Sequence, residues 1–256
     1  MEHINTFDIF DTLITRTVPR PTDIFKIIEE KYPYKNFSEI RIRAERNSDG
    51  TFIDIYRKIG EYEGITIDEQ NKLMEYELQT ELDNIIPIIS NINLIRNNDM
   101  LISDTYLSEN DIRFLLTKKG LNANYKLYVS PNGKYCGKAY ENIMKKNIID
   151  LHIGDNQHSD IFMAKKYGIN TQITQIYKFS DLENLLYTRK KYKSLNYFRT
   201  LRLKNLFVEN STEYNIYDDQ LSINIPVLCF ISHYLNELLL IYSLPISNYR
   251  SEERRV

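Results

Sequence analysis

Five short apolar runs, most ending in Asp, Ser or Gly, constrain this 256-residue chain more than any other feature. They are His3 to Phe7, Met100 to Ser103, Lys126 to Ser130, Leu151 to Gly154 and Gln172 to Tyr177. Runs this short and this continuously apolar suit strands buried on both faces of a parallel sheet. Between the later ones the spacing turns helical, over Ser108 to Lys119, Gly137 to Lys146 and Ser159 to Tyr167. Ser108 is placed to cap the first of these helices, with Asp111 three residues on. Gly120 and Gly168 stand where helix ends take glycine. Strand-helix alternation predicts an α/β chain with an open parallel sheet and right-handed crossovers.

The first connection breaks the rhythm. Residues 15–98 show no strand pattern and instead read as helices over Thr22 to Lys31, Ser38 to Arg46, Thr51 to Tyr62 and Ile67 to Asn84. Thr22 and Thr51 are candidate N-caps. Ile24, Phe25, Ile27 and Ile28 follow the first, and Phe52, Ile55, Tyr56 and Ile59 the second, at helical spacing. The expected organisation is a discontinuous core of residues 1–14 and 99–178, a helical insert of 15–98 and a helical C-terminal extension of 179–256. In the extension, Ser180 to Tyr197 reads as a basic helix, Glu209 to Gln220 as a polar loop and Ile225 to Tyr242 as an apolar helix.

Composition narrows the partners. A formal net charge of -2 offers no basic field for nucleic acid. Two cysteines, Cys136 and Cys229, are too few for a disulfide framework. The N-terminus has no basic start or apolar signal core, so a reduced, cytoplasmic setting is expected. Val227 to Ile246 is long enough to span a bilayer, but His233, Asn236 and Glu237 in its middle would be costly in lipid. The expectation is no membrane span, and a protein partner or domain covering the apolar 225–246 segment.

Open α/β sheets gather their chemistry outside the carboxyl ends of the strands. Asp8 ends the first run, with Phe10, Asp11 and Thr12 in the turn beyond it. A carboxylate there can act as a nucleophile or a metal ligand. Ser103 ends the second run, followed by Asp104, and its hydroxyl can donate to a phosphate oxygen. The third run leads into a polar loop carrying Lys134, Gly137 and Lys138, and lysine suits the neutralising of phosphate or of paired carboxylates. The fourth ends in Gly154-Asp155, with Asp160 five residues on. Hard oxygen ligands facing Asp8 describe a Mg²⁺ site. Each residue alone also reads as a helix cap, a turn residue or a solvated lysine. The four together, in order and at strand ends, read as one site.

In that order, Asp8-x-Phe10-Asp11-Thr12-Leu13, Ser103, Lys134 with Gly137, and Gly154-Asp155 with Asp160 resemble the four motifs of the haloacid dehalogenase (HAD) superfamily, over about the first ~180 residues. The resemblance implies a Rossmann-like core, a helical cap inserted after the first strand and a small phosphorylated substrate. Asp8 would be the nucleophile, forming an acyl-phosphate. Ser103 and Lys134 would hold the phosphoryl group, with Thr12 and Asp104 on the substrate side. Asp8, the Phe10 carbonyl and Asp155 would ligate Mg²⁺, with Asp160 either a ligand or a partner of Lys134. More narrowly, FDIFDTLITR, SDTYLS and GDNQHSD resemble HAD-like proteins of capsule and surface-polysaccharide synthesis, which implies a sugar phosphate as one substrate class.

The sequence departs from the pattern at Phe10. HAD phosphatases carry an Asp there as general acid and base, and losing such proton transfer typically costs roughly 10²–10⁴-fold. Asp11, or a residue of the insert such as Glu45 or Arg43, could substitute. Three readings follow: a Mg²⁺-dependent hydrolase or phosphotransferase, a non-catalytic or weakly active module of a larger polysaccharide-assembly protein, and a dehalogenase-like hydrolase. Tyr106, Asn156 and His158 lie in the nearby loops and could shape substrate binding.

Overall fold

The computed structural model describes residues 1–31, 36–174 and 181–189, with shorter pieces up to residue 203. Strand β1 (Glu2–Phe7) opens the chain, and β2 (Ile14–Arg16) follows the turn after it. Four helices come next: α1 (Asp23–Lys31), α2 (Phe37–Arg46), α3 (Phe52–Glu63) and α4 (Ile67–Asp83). They lead to β3 (Ile85–Pro87) and the short α5 (Ile89–Ile92). The chain then alternates through β4 (Met100–Asp104), α6 (Glu109–Lys118), β5 (Lys126–Ser130), α7 (Lys138–Met144) and β6 (Asn147–Gly154). A π-helical turn (Gln157–Phe162) continues into α8 (Met163–Lys166), and β7 (Asn170–Ile173) closes the sheet.

The expected α/β architecture is present. The sheet order is β5-β4-β1-β6-β7, with every adjacent pair parallel. The chain runs outward from β1 through β4 to β5, then crosses back to β6 and β7. The strand order therefore reverses at β1, the kind of point at which open α/β sheets bind ligands. Both faces are buried. Phe7, Leu101 and Ile153 join Ile112 and Leu115 of α6 and Ile24 and Tyr56 of the insert in one apolar cluster. Ile4, Ile102 and Ile149 pack on the other face against Tyr140, Ile143, Met163 and Ala164. Each buried Leu, Ile, Phe or Met side chain among them contributes about 1.5–3 kcal/mol.

In the insert each helix packs on the next, and α4 returns against α1. Thr51 caps α3 by accepting from the Asp54 N–H, and Thr66 with Glu69 forms a capping box at α4. Phe52, Ile55, Tyr56 and Ile59 are buried, as their spacing predicts. Arg41 of α2 and Glu77 of α4 are both fully buried and paired through two hydrogen bonds of 2.8 Å. The Tyr56 hydroxyl donates to Glu77 at 2.7 Å. Removing Arg41 would leave the buried Glu77 charge uncompensated, so the pair ties α2 to α4.

Three expectations are corrected. Residues 15–98 do hold strand: β2 and β3 form an antiparallel ribbon, with Arg16 opposite Ile85. Three residues are too few to show an alternating pattern. Strand β6 starts at Asn147 rather than Leu151, because its register with β1 shifts between Ile4 and Asn5 and leaves Asp150 to interrupt the apolar run. Strand β7 spans Asn170–Ile173 rather than starting at Gln172, and residues 175–180 lie outside the described residues.

The C-terminal unit begins at Phe179. Its helix α9 (Asp181–Thr188) falls within the expected Ser180 to Tyr197, of which residues 180, 190–194 and 196 lie outside the described residues. The Arg202 guanidinium donates to the buried Glu183 at 2.8 and 2.7 Å, and Leu186, Leu195 and Phe198 are buried together. The polar loop of 209–220 and the apolar segment of 225–246 lie outside the described residues. Among the described residues, no helix is long and apolar enough to cross a membrane.

Candidate active site

The Asp8 N–H donates to the Ile153 carbonyl at 2.8 Å, so Asp8 is still tied to β6 as β1 ends. The chain then turns tightly. The Leu13 and Ile14 N–H groups donate to the Ile9 carbonyl at 2.8 and 3.0 Å, and the Asp11 N–H to the Ile14 carbonyl at 2.6 Å. Buried Ile9 and Leu13 anchor this turn from below. Asp11 takes a left-handed conformation, φ 58°, which Asp tolerates better than most residues. None of these turn bonds falls on the Phe10 carbonyl, which leaves it available to a cation.

Lys134 arrives from the turn after β5. The Asp104 carboxylate accepts from the Lys134 and Tyr135 N–H groups, both at 2.8 Å, and so fixes that turn to the end of β4. The Lys134 ammonium, almost fully buried, donates to Asp8 and, at 2.7 Å, to Asp160. Burial opposes its charge, but Asp8 and Asp160 outweigh burial and hold Lys134 above the ordinary lysine range.

Asp160 sits in the π-helical turn after β6, against the backbone of Gly154. A Cβ at Gly154 would lie 2.4 Å from the Asp160 Cγ, so only glycine admits this approach. Both Asp160 oxygens are engaged. One accepts from Lys134, His152 and Ser159, and the other from the Asn156 N–H at 2.9 Å. Burial would raise its pKa, but His152 and Lys134 overcome this and hold it below the usual carboxylate range.

His152, fully buried on β6, went unnoticed in the sequence because an apolar strand hid it. Its Nδ1 lies 2.8 Å from the Thr6 hydroxyl and its Nε2 3.3 Å from Asp160. Burial lowers its pKa, so the ring is neutral. A carboxylate accepts only, which puts the ring proton on Nε2 and leaves Nδ1 to accept from Thr6.

Carboxylate oxygens of Asp8, Asp155 and Asp160 lie within 4.8 Å of one another. Three acids around one lysine leave surplus negative charge. Burial pushes Asp8 well up despite Lys134, with Asp160 and Asp155 adding to the rise. Burial, then Asp11, then Asp160 push Asp155 up to about 6. Hard oxygen donors with excess negative charge fit a divalent cation such as Mg²⁺.

Above these residues opens a cavity of about 730 Å³. Asp8, Asp11, Ser103, Lys134, Asp155 and Asp160 line it, as do Phe10 and Asp104. The Ser103 hydroxyl makes no hydrogen bond among the described residues. Asp11, whose carboxylate accepts from Thr15 at 2.7 Å, is exposed at the cavity. Two residues expected on the substrate side also make structural bonds. Thr12 is fully buried and donates to Asp8 at 3.4 Å, so it supports the carboxylate from behind. The Asp104 carboxylate lines the cavity and also holds the lysine turn.

The insert supplies the far wall, including Arg16, Glu45 and Arg46. Glu45 thus reaches the cavity, whereas Arg43 stacks on Tyr62 at 4.1 Å and does not line it. Tyr106 and Asn156 line the cavity. His158 does not, and lies instead against exposed Tyr135. Arg16, which the sequence did not single out, has its guanidinium 4.0 Å above the centre of the Phe10 ring.

No protein-family model matches the chain, and no curated protein matches its sequence. Among solved structures, 2-haloacid dehalogenase from Pseudomonas syringae pv. Tomato is similar at 16% identity and a TM-score of 0.45, over 71% of this chain and 90% of that one. A HAD family enzyme from Bacteroides thetaiotaomicron is similar at 15% identity and a TM-score of 0.46, over 73% and 99%. The same enzyme in complex with magnesium and inorganic phosphate gives 17%, 0.43, 71% and 98%.

Proposed function

We propose that this chain is a HAD-type hydrolase or phosphotransferase that uses Mg²⁺ and acts through Asp8 on a small phosphorylated metabolite. The observation that carries the reading is the Lys134 ammonium set between Asp8 and Asp160, with Asp155 beside them and Ser103 across the same cavity. That arrangement holds a carboxylate nucleophile and neutralises a phosphoryl group, which is most of what phosphoryl transfer asks of a protein.

Asp8, Asp155 and the Phe10 carbonyl would hold Mg²⁺, which when bound offsets the charge between an anionic nucleophile and an anionic phosphate. Asp160, its oxygens already engaged, acts as the partner that aims Lys134. Ser103 and Lys134 hold phosphoryl oxygens while an Asp8 oxygen attacks phosphorus. Asp11 faces the cavity and is the remaining carboxylate of the first turn placed to relay a proton from the attacking water of the second step. The surplus of carboxylates favours this reading over the dehalogenase-like alternative, whose chemistry needs no cation.

The resemblance to proteins of surface-polysaccharide synthesis makes sugar phosphates one class to assay, beside acyl phosphates and phosphoanhydrides. The test is phosphate release from a metabolite panel with and without Mg²⁺, comparing the natural chain with Asp8→Asn. Mg²⁺-dependent release that Asp8→Asn abolishes supports the proposal. Release that persists in the variant contradicts it. Mg²⁺ binding without turnover points instead to a non-catalytic module.

A further inference from the structure

The first turn carries Phe10 where a proton donor for the leaving group would stand, and a cation lies directly over that ring. The Arg16 guanidinium is 4.0 Å from the Phe10 ring centre, and both residues line the cavity with Asp8. Glu81, almost fully buried on α4, accepts from Arg16 Nε at 2.9 Å and from Nη2 at 3.0 Å. Nη1 has no partner among the described residues, and the side chain keeps 11% of its surface exposed. The ribbon of β2 and β3 fixes the backbone beneath, with Arg16 opposite Ile85. Pairing on one edge and an aromatic face below leave this guanidinium a single open edge.

Resting on the reading of Asp8 as nucleophile, we propose that Arg16 is a catalytic residue that receives the leaving oxygen as an anion, and that the substrates are phosphoanhydrides or acyl phosphates. A guanidinium stays protonated at any working pH, so it donates hydrogen bonds but no proton. Phe10 donates neither. In the first step an Asp8 oxygen bonds to phosphorus and the bond from phosphorus to the leaving oxygen breaks. The electron pair stays on that oxygen, held by Arg16 Nη1–H, and solvent protonates it after release. In the second step water attacks phosphorus, the Asp8 carboxylate is restored, and both water protons leave on the inorganic phosphate. Such a first step is fast only when the leaving group is itself a stable anion, as carboxylates and phosphates are and sugar alkoxides are not.

The test has two arms, both with Mg²⁺. Phosphate release is measured from acetyl phosphate, pyrophosphate and glucose 6-phosphate, and from dinitrophenyl, nitrophenyl and phenyl phosphate in order of increasingly basic leaving group. The natural chain is compared with Arg16→Lys, Arg16→Met and Arg16→Met/Glu81→Gln, the last leaving no buried carboxylate unpaired. The expected result is preference for acetyl phosphate and pyrophosphate over the sugar ester. Removing the guanidinium should cost about 10²-fold on phenyl phosphate and far less on the dinitrophenyl ester, with Arg16→Lys between. Equal losses across the series, or preference for the sugar ester, overturn the role of Arg16 while Asp8→Asn still abolishes turnover. Turnover that survives Asp8→Asn, or none on any of these six substrates, overturns the nucleophile reading and this proposal with it.

Discussion

The Lys134 ammonium lies 2.7 Å from an oxygen of Asp160, on a carboxylate whose approach depends on the bare backbone of Gly154. The lysine is therefore aimed by a residue from the next strand-end loop, and two motifs far apart in sequence act as one.

Replacing that lysine exposes the charge it balances. Lys134→Met leaves Asp8 and Asp160 buried without their cation, a loss of about 3–5 kcal/mol. Thermal melts should show a large fall in Tm without metal and partial recovery with Mg²⁺. An unchanged metal-free Tm would mean that the three carboxylates do not repel one another as their positions imply.

Gly154→Ala should act through Asp160. A Cβ placed 2.4 Å from the Asp160 Cγ must displace that side chain, at a cost of about 1–3 kcal/mol. Calorimetric titration should show weakened Mg²⁺ binding and assays a fall in kcat. The variant is contradicted as a probe of the site if it melts lower yet turns over normally.

The acidic cluster also sets a pH dependence. Burial and then Asp11 push Asp155 up to about 6, so the metal-free fold holds a proton there that the unfolded chain has released. Where the native state binds more protons, stability falls as pH rises. The Asp155 contribution is thus lost between roughly pH 4 and pH 6 and absent above. Metal-free Tm should decline through that window, and Asp155→Asn should flatten the decline while abolishing the response to Mg²⁺. A natural-chain profile with the same slope as Asp155→Asn would refute the assignment.

Asp104→Asn tests whether that carboxylate serves the lysine turn or the substrate. It accepts two backbone N–H groups at 2.8 Å. An amide still offers one acceptor, so the expected loss is about 1–2 kcal/mol of stability with a lowered kcat. A change in KM alone would return Asp104 to the substrate side.

Much of this was legible in the sequence because strand ends in a parallel sheet announce themselves. Asp8, Ser103, Lys134 and Asp155 each follow a short apolar run, and the fold brings all four to one edge. What stayed hidden has a physical cause in each case. His152 sits within an apolar strand and offers no local cue to the buried Asp160 it meets. Arg16 belongs to a three-residue strand whose partner lies 69 residues on, so neither the ribbon nor its position over Phe10 could be read from spacing. Thr12 and Asp104 follow site residues directly, but side-chain direction turns one behind Asp8 and the other onto the lysine turn. Sequence adjacency does not encode such direction.

The proposed chemistry depends first on Asp8 as the nucleophile. The most direct measurement is mass spectrometry of the chain quenched in acid after brief mixing with Mg²⁺ and acetyl phosphate. One added phosphoryl group is expected, mapped to the peptide containing Asp8 and absent from Asp8→Asn. A phosphoryl group on another residue, or release of phosphate with none ever found on Asp8, would contradict it.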